Sequence, residues 1–246
     1  MKAPISHHIL EIKHRLIYFL ISSLITFSCA YFFCQDICYF LAKPLIDLGE
    51  IHFIYTDMGE AFITYVKISF FVTLYFCLPI LLFHIWAFFT PGLYQKESRR
   101  LGWYLSFSFL FGTIGIIIAY FIILPVAWKF FFSFQSMDTM FQIELQPKIN
   151  EYFLFITKIF FLFAISFQFP LYFLFFVEMG FVSINSFIDK RNYACVFSFI
   201  IAAILSPPDV MSQILLVIPL LILYEISIFF MKLIKEYTAY KKKTDK

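Results

Sequence analysis

Charge is scarce in this chain. Of its 246 residues, 14% are Asp, Glu, Lys or Arg, against about 25% in a soluble domain. Glycine is scarce too, at 7 residues. No Walker A, GxGxxG or GxSxG motif occurs, so nothing points to nucleotide use or acyl chemistry. The 5 histidines form no HExxH and no pair at ligand spacing within the apolar stretches, which argues against zinc and haem. The 5 cysteines (Cys29, Cys34, Cys38, Cys77 and Cys195) form no CxxC. Cys34 and Cys38 are four apart and can meet on one helix face, yet packing as small apolar side chains is the expectation. The net charge of +3 carries no nucleic-acid signal. No cofactor, no metal and no catalytic residue is expected.

Apolar residues are abundant. They make up 62% of the chain, with 38 Phe, and the mean hydropathy is +0.86. No soluble core is large enough to hide that much apolar surface. Lipid can act as its solvent, provided each span closes its own backbone hydrogen bonds as a helix. Six apolar stretches read as spans, at 16–34, 66–89, 101–124, 152–177, 193–205 and 214–231. The expected fold is all-α, a polytopic membrane protein with six transmembrane helices in one domain over 1–246. The fifth stretch reaches about 20 Å at about 1.5 Å per residue, short of a hydrocarbon core of about 30 Å. With the sixth it reads as a short hairpin around Pro207 and Pro208, with local bilayer thinning.

Charge sets the orientation. If 1–15, the 90–100 and 178–192 loops and the basic tail 232–246 share one side, that side holds 14 of the 19 Lys and Arg residues. Nine carboxylates fall on the other side. The positive-inside rule then predicts both termini inside. No small-residue cleavage site follows the first apolar run, so that span is expected to remain as a signal-anchor.

The two outer loops, 35–65 and 125–151, are long. The first reads as a short amphipathic helix over 37–42, ended before Pro44 and lying in the interface. The second holds Trp128 and Lys129, suited to an interfacial anchor. Together they predict a cap over the outer end of the bundle. Within the spans, Glu225 and Gln168 are the costly polar groups, and Pro170 predicts a kink in the fourth span. Either these groups hydrogen-bond between helices and hold the bundle together, or they form a docking surface or protonatable site.

A run of motifs then becomes specific. His8-Ile9-Leu10-Glu11-Ile12-Lys13-His14-Arg15-Leu16 resembles the HLxELRxRL opening of the TatC family, the multispanning receptor of twin-arginine protein translocation. Ala42-Lys43-Pro44-Leu45 and Tyr55-Thr56-Asp57 follow in the first outer loop. Trp86-Ala87-Phe88, then Pro91-Gly92-Leu93-Tyr94-Gln95-Lys96-Glu97-Ser98-Arg99-Arg100, resemble the family's WxF…PxLYxxERR. Ser166-Phe167-Gln168-Phe169-Pro170 stands where many members read SFExP. Ser206-Pro207-Pro208-Asp209-Val210-Met211-Ser212-Gln213 resembles TPPDxxSQ, and Tyr224-Glu225-Ile226 resembles FEI. Two residues depart from the pattern. Lys13 replaces Arg, losing the guanidinium fork, and Gln168 replaces Glu, so a protonatable carboxylate there is not essential. Gln168, Ala42-Lys43-Pro44 and the 145–152 segment are similar to the mitochondrially encoded branch. The richness in Phe, Ile, Tyr and Lys fits an AT-rich genome, with an AT-rich bacterium as the alternative source.

The resemblance implies a non-enzymatic receptor with no cofactor. It binds twin-arginine signal peptides of folded cargo, recruits single-span TatA/TatB-type partners, self-associates, and works from the proton gradient in the mitochondrial inner membrane or a bacterial cytoplasmic membrane. It implies signal binding by Glu11, Lys13, Phe88, Pro91, Leu93, Tyr94 and Glu97. Carboxylates can take paired hydrogen bonds from arginines, while the cations around them repel generic basic ligands. The plain alternative makes Glu11 and Glu97 surface partners of Arg15, Arg99 or Arg100. The resemblance further implies helix docking by Ser206 and Gln213, with Gln168 and Glu225 as a second polar face deeper in the membrane. A buried Glu225 is expected to be protonated or hydrogen-bonded. Pro44, Asp57, Pro207, Pro208 and Asp209 shape the outer loops, and Asp209 is expected to cap the sixth helix. A small-molecule carrier and a quinone- or haem-binding respiratory anchor are the competing readings. The first lacks an inverted repeat and the second lacks a histidine pair.

Overall fold

The computed structural model describes residues 5–49, 52–92, 94–134, 136–138, 141–143, 146–178, 181–205 and 210–244. Its helices, in chain order, are α1 (Ile5–Phe32), α2 (Cys34–Ile46), α3 (Glu60–Phe89), α4 (Gln95–Ile118), α5 (Leu124–Phe132), α6 (Ile149–Ser166), α7 (Phe169–Glu178), α8 (Ile184–Asp189), α9 (Arg191–Leu205) and α10 (Val210–Thr244). Two three-residue strands, β1 (Ser136–Asp138) and β2 (Phe141–Ile143), pair antiparallel in the second long loop. That hairpin and an isolated parallel bridge between Ile54 and Lys148 are the departures from an all-helical chain among the described residues.

Five described stretches are long and apolar enough to cross a membrane: Ile12–Phe32, Glu60–Gly92, Glu97–Phe132, Ile149–Val177 and Leu216–Leu233. The expected fifth span, α9, has 15 residues and so rises about 22 Å. Its shortness is therefore a property of the fold.

Two sequence expectations are corrected by proline. The 37–42 helix does not stop before Pro44. It starts at Cys34 and runs through Pro44 to Ile46, where the Asp47 N–H bonds the Lys43 carbonyl at 3.0 Å. The proline removes one backbone bond, a cost of about 3 kcal/mol. Cys34, Cys38, Ala42 and Leu45 form one buried stripe. Burying Leu45 alone recovers about 1.5–3 kcal/mol. The third span likewise does not end at Leu124. A π-helical turn, Ala119–Ile123, lets the Leu124 N–H reach the Ala119 carbonyl. The extra residue in that turn carries the backbone past Pro125, which has no N–H to give. The helix then continues to Phe132, so the irregular part of the second long loop begins only at Ser133. Trp128 is consequently buried, at 6% exposure, with Leu124 and Ala127, and is no interfacial anchor.

The chain forms two compact units. The first is Met1–Phe109 with Ser136–Thr157. There α1 packs along α3, and α2 lies against both. The hydroxyl residues of α1 bond back into their own helix: Ser22 and Ser23 to the Phe19 carbonyl, Thr26 to Ser22 and Ser28 to Leu24, all at 2.7–2.9 Å. Of the expected cap, the part within this unit is a set of bonds between the first long loop and residues 147–152. Ile54 and Ile149 are tied through the Pro147 and Ile54 carbonyls. The Glu60 carboxylate accepts the Thr56 N–H at 2.8 Å and the Asn150 N–H at 3.4 Å. Lys67 holds the Asn150 side chain at 3.0 Å, and the Tyr152 hydroxyl donates to the Leu41 carbonyl at 3.1 Å. Cys34 and Cys38 lie with Sγ atoms 3.8 Å apart. Burial and the neighbouring Cys34 push the Cys38 thiol well above its usual range, which fits an inert packing role.

The second unit is Leu110–Gln135 with Lys158–Lys246. Here α4 and α6 approach closely. A Cβ on Gly115 would lie 2.7 Å from the Phe163 carbonyl oxygen and 2.9 Å from the Phe167 ring. The fourth expected span breaks near Pro170, as the sequence predicts. α6 stops at Ser166 and α7 resumes at Phe169. Elsewhere in this unit, α10 packs on α7, α8 and α9. Tyr224, Ile228 and Met231 meet Ile184, Phe173, Val177 and Phe187 there.

The Gly115 contact yields a prediction. In an exposed helix Gly→Ala gains up to about 1 kcal/mol, but here a methyl meets backbone that has no rotamer to yield. Gly115→Ala is expected to destabilise by about 1–3 kcal/mol, read as a lowered midpoint of thermal unfolding in detergent. Gly92→Ala, where nothing lies within 4 Å, is expected to leave the midpoint unchanged.

Candidate functional site

The motif residues joining α3 to α4 form a loop fastened at both ends. Trp86 Nε1 donates to the Ser98 carbonyl at 3.0 Å. The Ser98 hydroxyl bonds the Thr90 hydroxyl at 3.1 Å, and Thr90 donates to the Trp86 carbonyl at 2.7 Å. Ser98 is buried. This ring of bonds holds the end of α3 and the start of α4 together across the tight turn Thr90–Gly92.

Glu97 occupies the third position of α4. Its Oε2 reaches back to the Tyr94 N–H at 3.2 Å, the carboxylate half of a capping box. That satisfies an N–H that the helix itself leaves open, and the negative charge suits the positive end of the helix dipole. Glu97 is exposed, and no ion pair joins it to Arg99 or Arg100 among the described residues. The plain alternative of a surface pair with those arginines is therefore not what forms. One carboxylate oxygen is used as a cap, and the other makes no hydrogen bond among the described residues. Tyr94 is 82% exposed beside it, and Pro91 is exposed as well.

Arg15 reaches from α1 to the Ala87 carbonyl at 3.3 Å. A guanidinium thus sits at the carbonyl end of α3, where the helix dipole is negative. Beside it a shallow apolar groove of about 280 Å³ runs between α1 and α3, lined by Ile12, Arg15, Leu16, Phe19, His84 and Phe88 among others. Lys13 is exposed on α1. Glu11 lies on α1, but its side chain is outside the described residues, as is Leu93.

The polar residues expected for helix docking each have a local partner where they are described. Gln213 Nε2 donates to the Phe199 carbonyl at 2.9 Å, tying α10 to α9. Glu225 is hydrogen-bonded, one of the two expected outcomes, but it is not buried: it is 52% exposed and paired with Arg191 at 2.7 Å, because α9 begins with Arg191 level with that turn of α10. Gln168 closes the break between α6 and α7. The Gln168 N–H bonds the Ile165 carbonyl at 2.9 Å, which leaves the Ala164 carbonyl without its usual partner four residues on. The Gln168 side-chain amide takes that place at 3.4 Å. An amide donates there at any pH, whereas a carboxyl donates only when protonated. Ser206, Pro207, Pro208 and Asp209, including the expected Asp209 cap, fall outside the described residues. Pro44 lies inside α2. Asp57 is exposed in the turn into α3, where its carbonyl accepts the Glu60 N–H at 3.0 Å.

Sequence reasoning missed Thr90 and Ser98 as fasteners, and quoted Trp86 and Arg15 only as motif letters. Their partners stand 8, 12 and 72 residues away. Only the spacing-eight pair flanks an obvious turn, so a hydroxyl on each side of Pro91-Gly92 was the one available clue.

Comparison with known proteins agrees with this geometry. Residues 7–219 match the family described as Sec-independent protein translocase protein (TatC). A TatC-like protein of Reclinomonas americana is 44% identical over 241 residues, covering 96% of this chain and 90% of that protein. The Sec-independent protein translocase protein TatC of Magnetococcus marinus is 38% identical, covering 93% and 84%. A crystal structure of the twin arginine translocase receptor TatC superposes with a TM-score of 0.76 at 32% identity, covering 91% of this chain and 98% of that one. The motifs, the apolar helices and the fastened loop therefore have one origin: this chain belongs to the TatC family and is a helical membrane subunit of the Sec-independent, twin-arginine translocase.

Proposed function

We propose that this subunit is the site where twin-arginine signal peptides of folded proteins first bind. The observation that carries the reading is the half-used carboxylate of Glu97, held on a fastened loop with one oxygen open. Glu11 supplies the second carboxylate from α1. A guanidinium can make paired bonds to each. Lys13, Arg99 and Arg100 stand around them and repel basic peptides that lack the right spacing. Phe88, Pro91, Leu93 and Tyr94 give the apolar surface on which the residues after the arginine pair lie. The chain crosses the membrane six times with both termini inside, α9 serving as a short span, which puts these residues on the inner face. The membrane is the mitochondrial inner membrane, a reading supported by the AT-rich composition and by Gln168.

Single-span TatA/TatB-type partners dock along α9 and α10 near Ser206 and Gln213, with Gln168 and Glu225 available deeper in the bundle. Transport follows the proton gradient, consistent with a chain that holds no nucleotide motif.

The substitutions Glu11→Gln and Glu97→Gln test the recognition step. An amide oxygen at position 97 still accepts the Tyr94 N–H, so the loop keeps its shape. Each change removes a charged hydrogen bond worth about 1.5–3 kcal/mol. Photo-crosslinking from the arginine pair of a signal peptide is expected to fall about tenfold or more for each. Unchanged crosslinking in the double variant, at normal protein level, rejects the assignment.

Gln213→Leu tests docking against structure. It removes the side-chain bond to the Phe199 carbonyl, worth about 0.5–1.5 kcal/mol, so some loss of folded protein is expected. Docking requires more: fewer partner helices captured per folded molecule, with signal binding intact. Capture per molecule equal to wild type makes Gln213 purely structural. An uncoupler is expected to stop transport while signal binding persists. Transport that continues under uncoupler and depends on added ATP overturns the energetic reading.

A further inference from the structure

A second and larger groove, of about 580 Å³, opens between α3 and α4. Its walls include Pro79, Phe83 and Trp86 of α3 with Trp103 and Phe109 of α4, and Arg99 lines it as well. The span that contains α4 begins at Glu97. Arg99 therefore lies in the first turn, at headgroup level, and Phe109 lies about 15 Å further along the helix. The groove is thus apolar along its depth and cationic at its membrane edge.

Its shape is built in. Gly102 stands where a Cβ would come within 3.1 Å of Trp86 Nε1, so the absent side chain leaves room beside the indole. Trp86 is held by its bond to the Ser98 carbonyl. Trp103 is 61% exposed and stacks on Phe107 at 5.7 Å, giving a flat wall at the depth where tryptophan favours the interface. Arg99 has no hydrogen bond or ion pair among the described residues. A free guanidinium over an apolar slot calls for an occupant with an anionic head and an apolar chain. A neutral apolar helix leaves the charge unanswered.

We infer that this groove is a binding site for an anionic phospholipid. One acyl chain lies between α3 and α4, and the phosphate takes the Arg99 guanidinium, whose planar fork matches phosphate oxygens. Arg100, the next residue, does not line the groove and adds only diffuse attraction. The inference does not rest on the signal-binding carboxylates Glu11 and Glu97, although it gives Arg99 a second role beside repelling generic basic peptides.

The test uses the full chain in detergent with equal amounts of phosphatidylglycerol and phosphatidylcholine of the same acyl chains, read by native mass spectrometry. Wild type is expected to retain phosphatidylglycerol over phosphatidylcholine by about tenfold, because the ammonium of phosphatidylcholine cancels the headgroup charge that attracts the guanidinium, while phosphatidylglycerol stays anionic. Arg99→Gln is expected to cut this to about twofold or less, with Arg99→Lys intermediate because a point charge replaces the fork. Arg100→Gln keeps the wild-type preference. Three results overturn the site: no preference in wild type, a preference that survives Arg99→Gln, or an equal loss in Arg100→Gln. A second measurement locates the chain. Phosphatidylglycerol with brominated acyl chains is expected to quench wild-type tryptophan emission, and to quench the double variant Trp86→Phe, Trp103→Phe, which keeps only Trp128, much less. Equal quenching in both puts the lipid elsewhere. Displacement of the lipid by a twin-arginine signal peptide would make the groove a peptide seat and overturn the assignment too.

Discussion

An N–H or carbonyl left open in hydrocarbon costs several kcal/mol, because no water is there to receive it. The helices of this chain follow from that constraint, and so do the places where they bend. On α1, where few side chains are buried, serine and threonine survive because each hydroxyl returns to a carbonyl three or four residues back. At Pro125 the chain widens the preceding turn to a π-helix and the helix continues. At Pro170 it breaks instead, and a side chain repairs the damage. Gln168 donates its amide to the Ala164 carbonyl that its own backbone N–H has left. The polar residue in the middle of an apolar span thus serves the backbone before it serves any partner.

The same constraint explains the loops. Glu60 and Glu97 both stand in the first turn of a helix and both bend back to N–H groups that precede it. Each helix start is thereby stabilised by charge and by hydrogen bonding together. Glu60 goes further and also takes the Asn150 N–H, 90 residues away, so one carboxylate fastens two long loops of the first unit. Glu97 takes a single N–H and stays half free. That difference separates a carboxylate consumed by structure from one still able to receive a ligand.

Cations are distributed by a similar rule. Arg15 answers the carbonyl end of α3, and Arg191 answers Glu225. Arg99 and Arg100 have no such use among the described residues. Unanswered cations at a membrane edge attract anions, and here an apolar groove lies directly below one of them. The start of α4 therefore presents a carboxylate and a guanidinium two residues apart, the first with one oxygen and the second with all its N–H groups unpaired among the described residues.

Apolar runs and the ordered motifs were legible in the sequence, because length and hydropathy are local quantities. So were the break at Pro170 and the short α9, since a missing N–H and a residue count need no tertiary knowledge. The continuations of α2 through Pro44 and of the third span through Pro125 were not legible. There the local rule against proline lost to buried Leu45 and to a widened turn, and only packing shows which term wins. The fates of Glu225 and Trp128 were not legible either. Hydropathy placed one buried within the bundle and the other at an interface, while the packing of α9 on α10 and the continued helix left the first half exposed beside an arginine and buried the second. Sequence by itself determined that this chain lives in a membrane as helices of one family. Tertiary structure decided which charges are satisfied and which are left for ligands, because that depends on partners far apart along the chain.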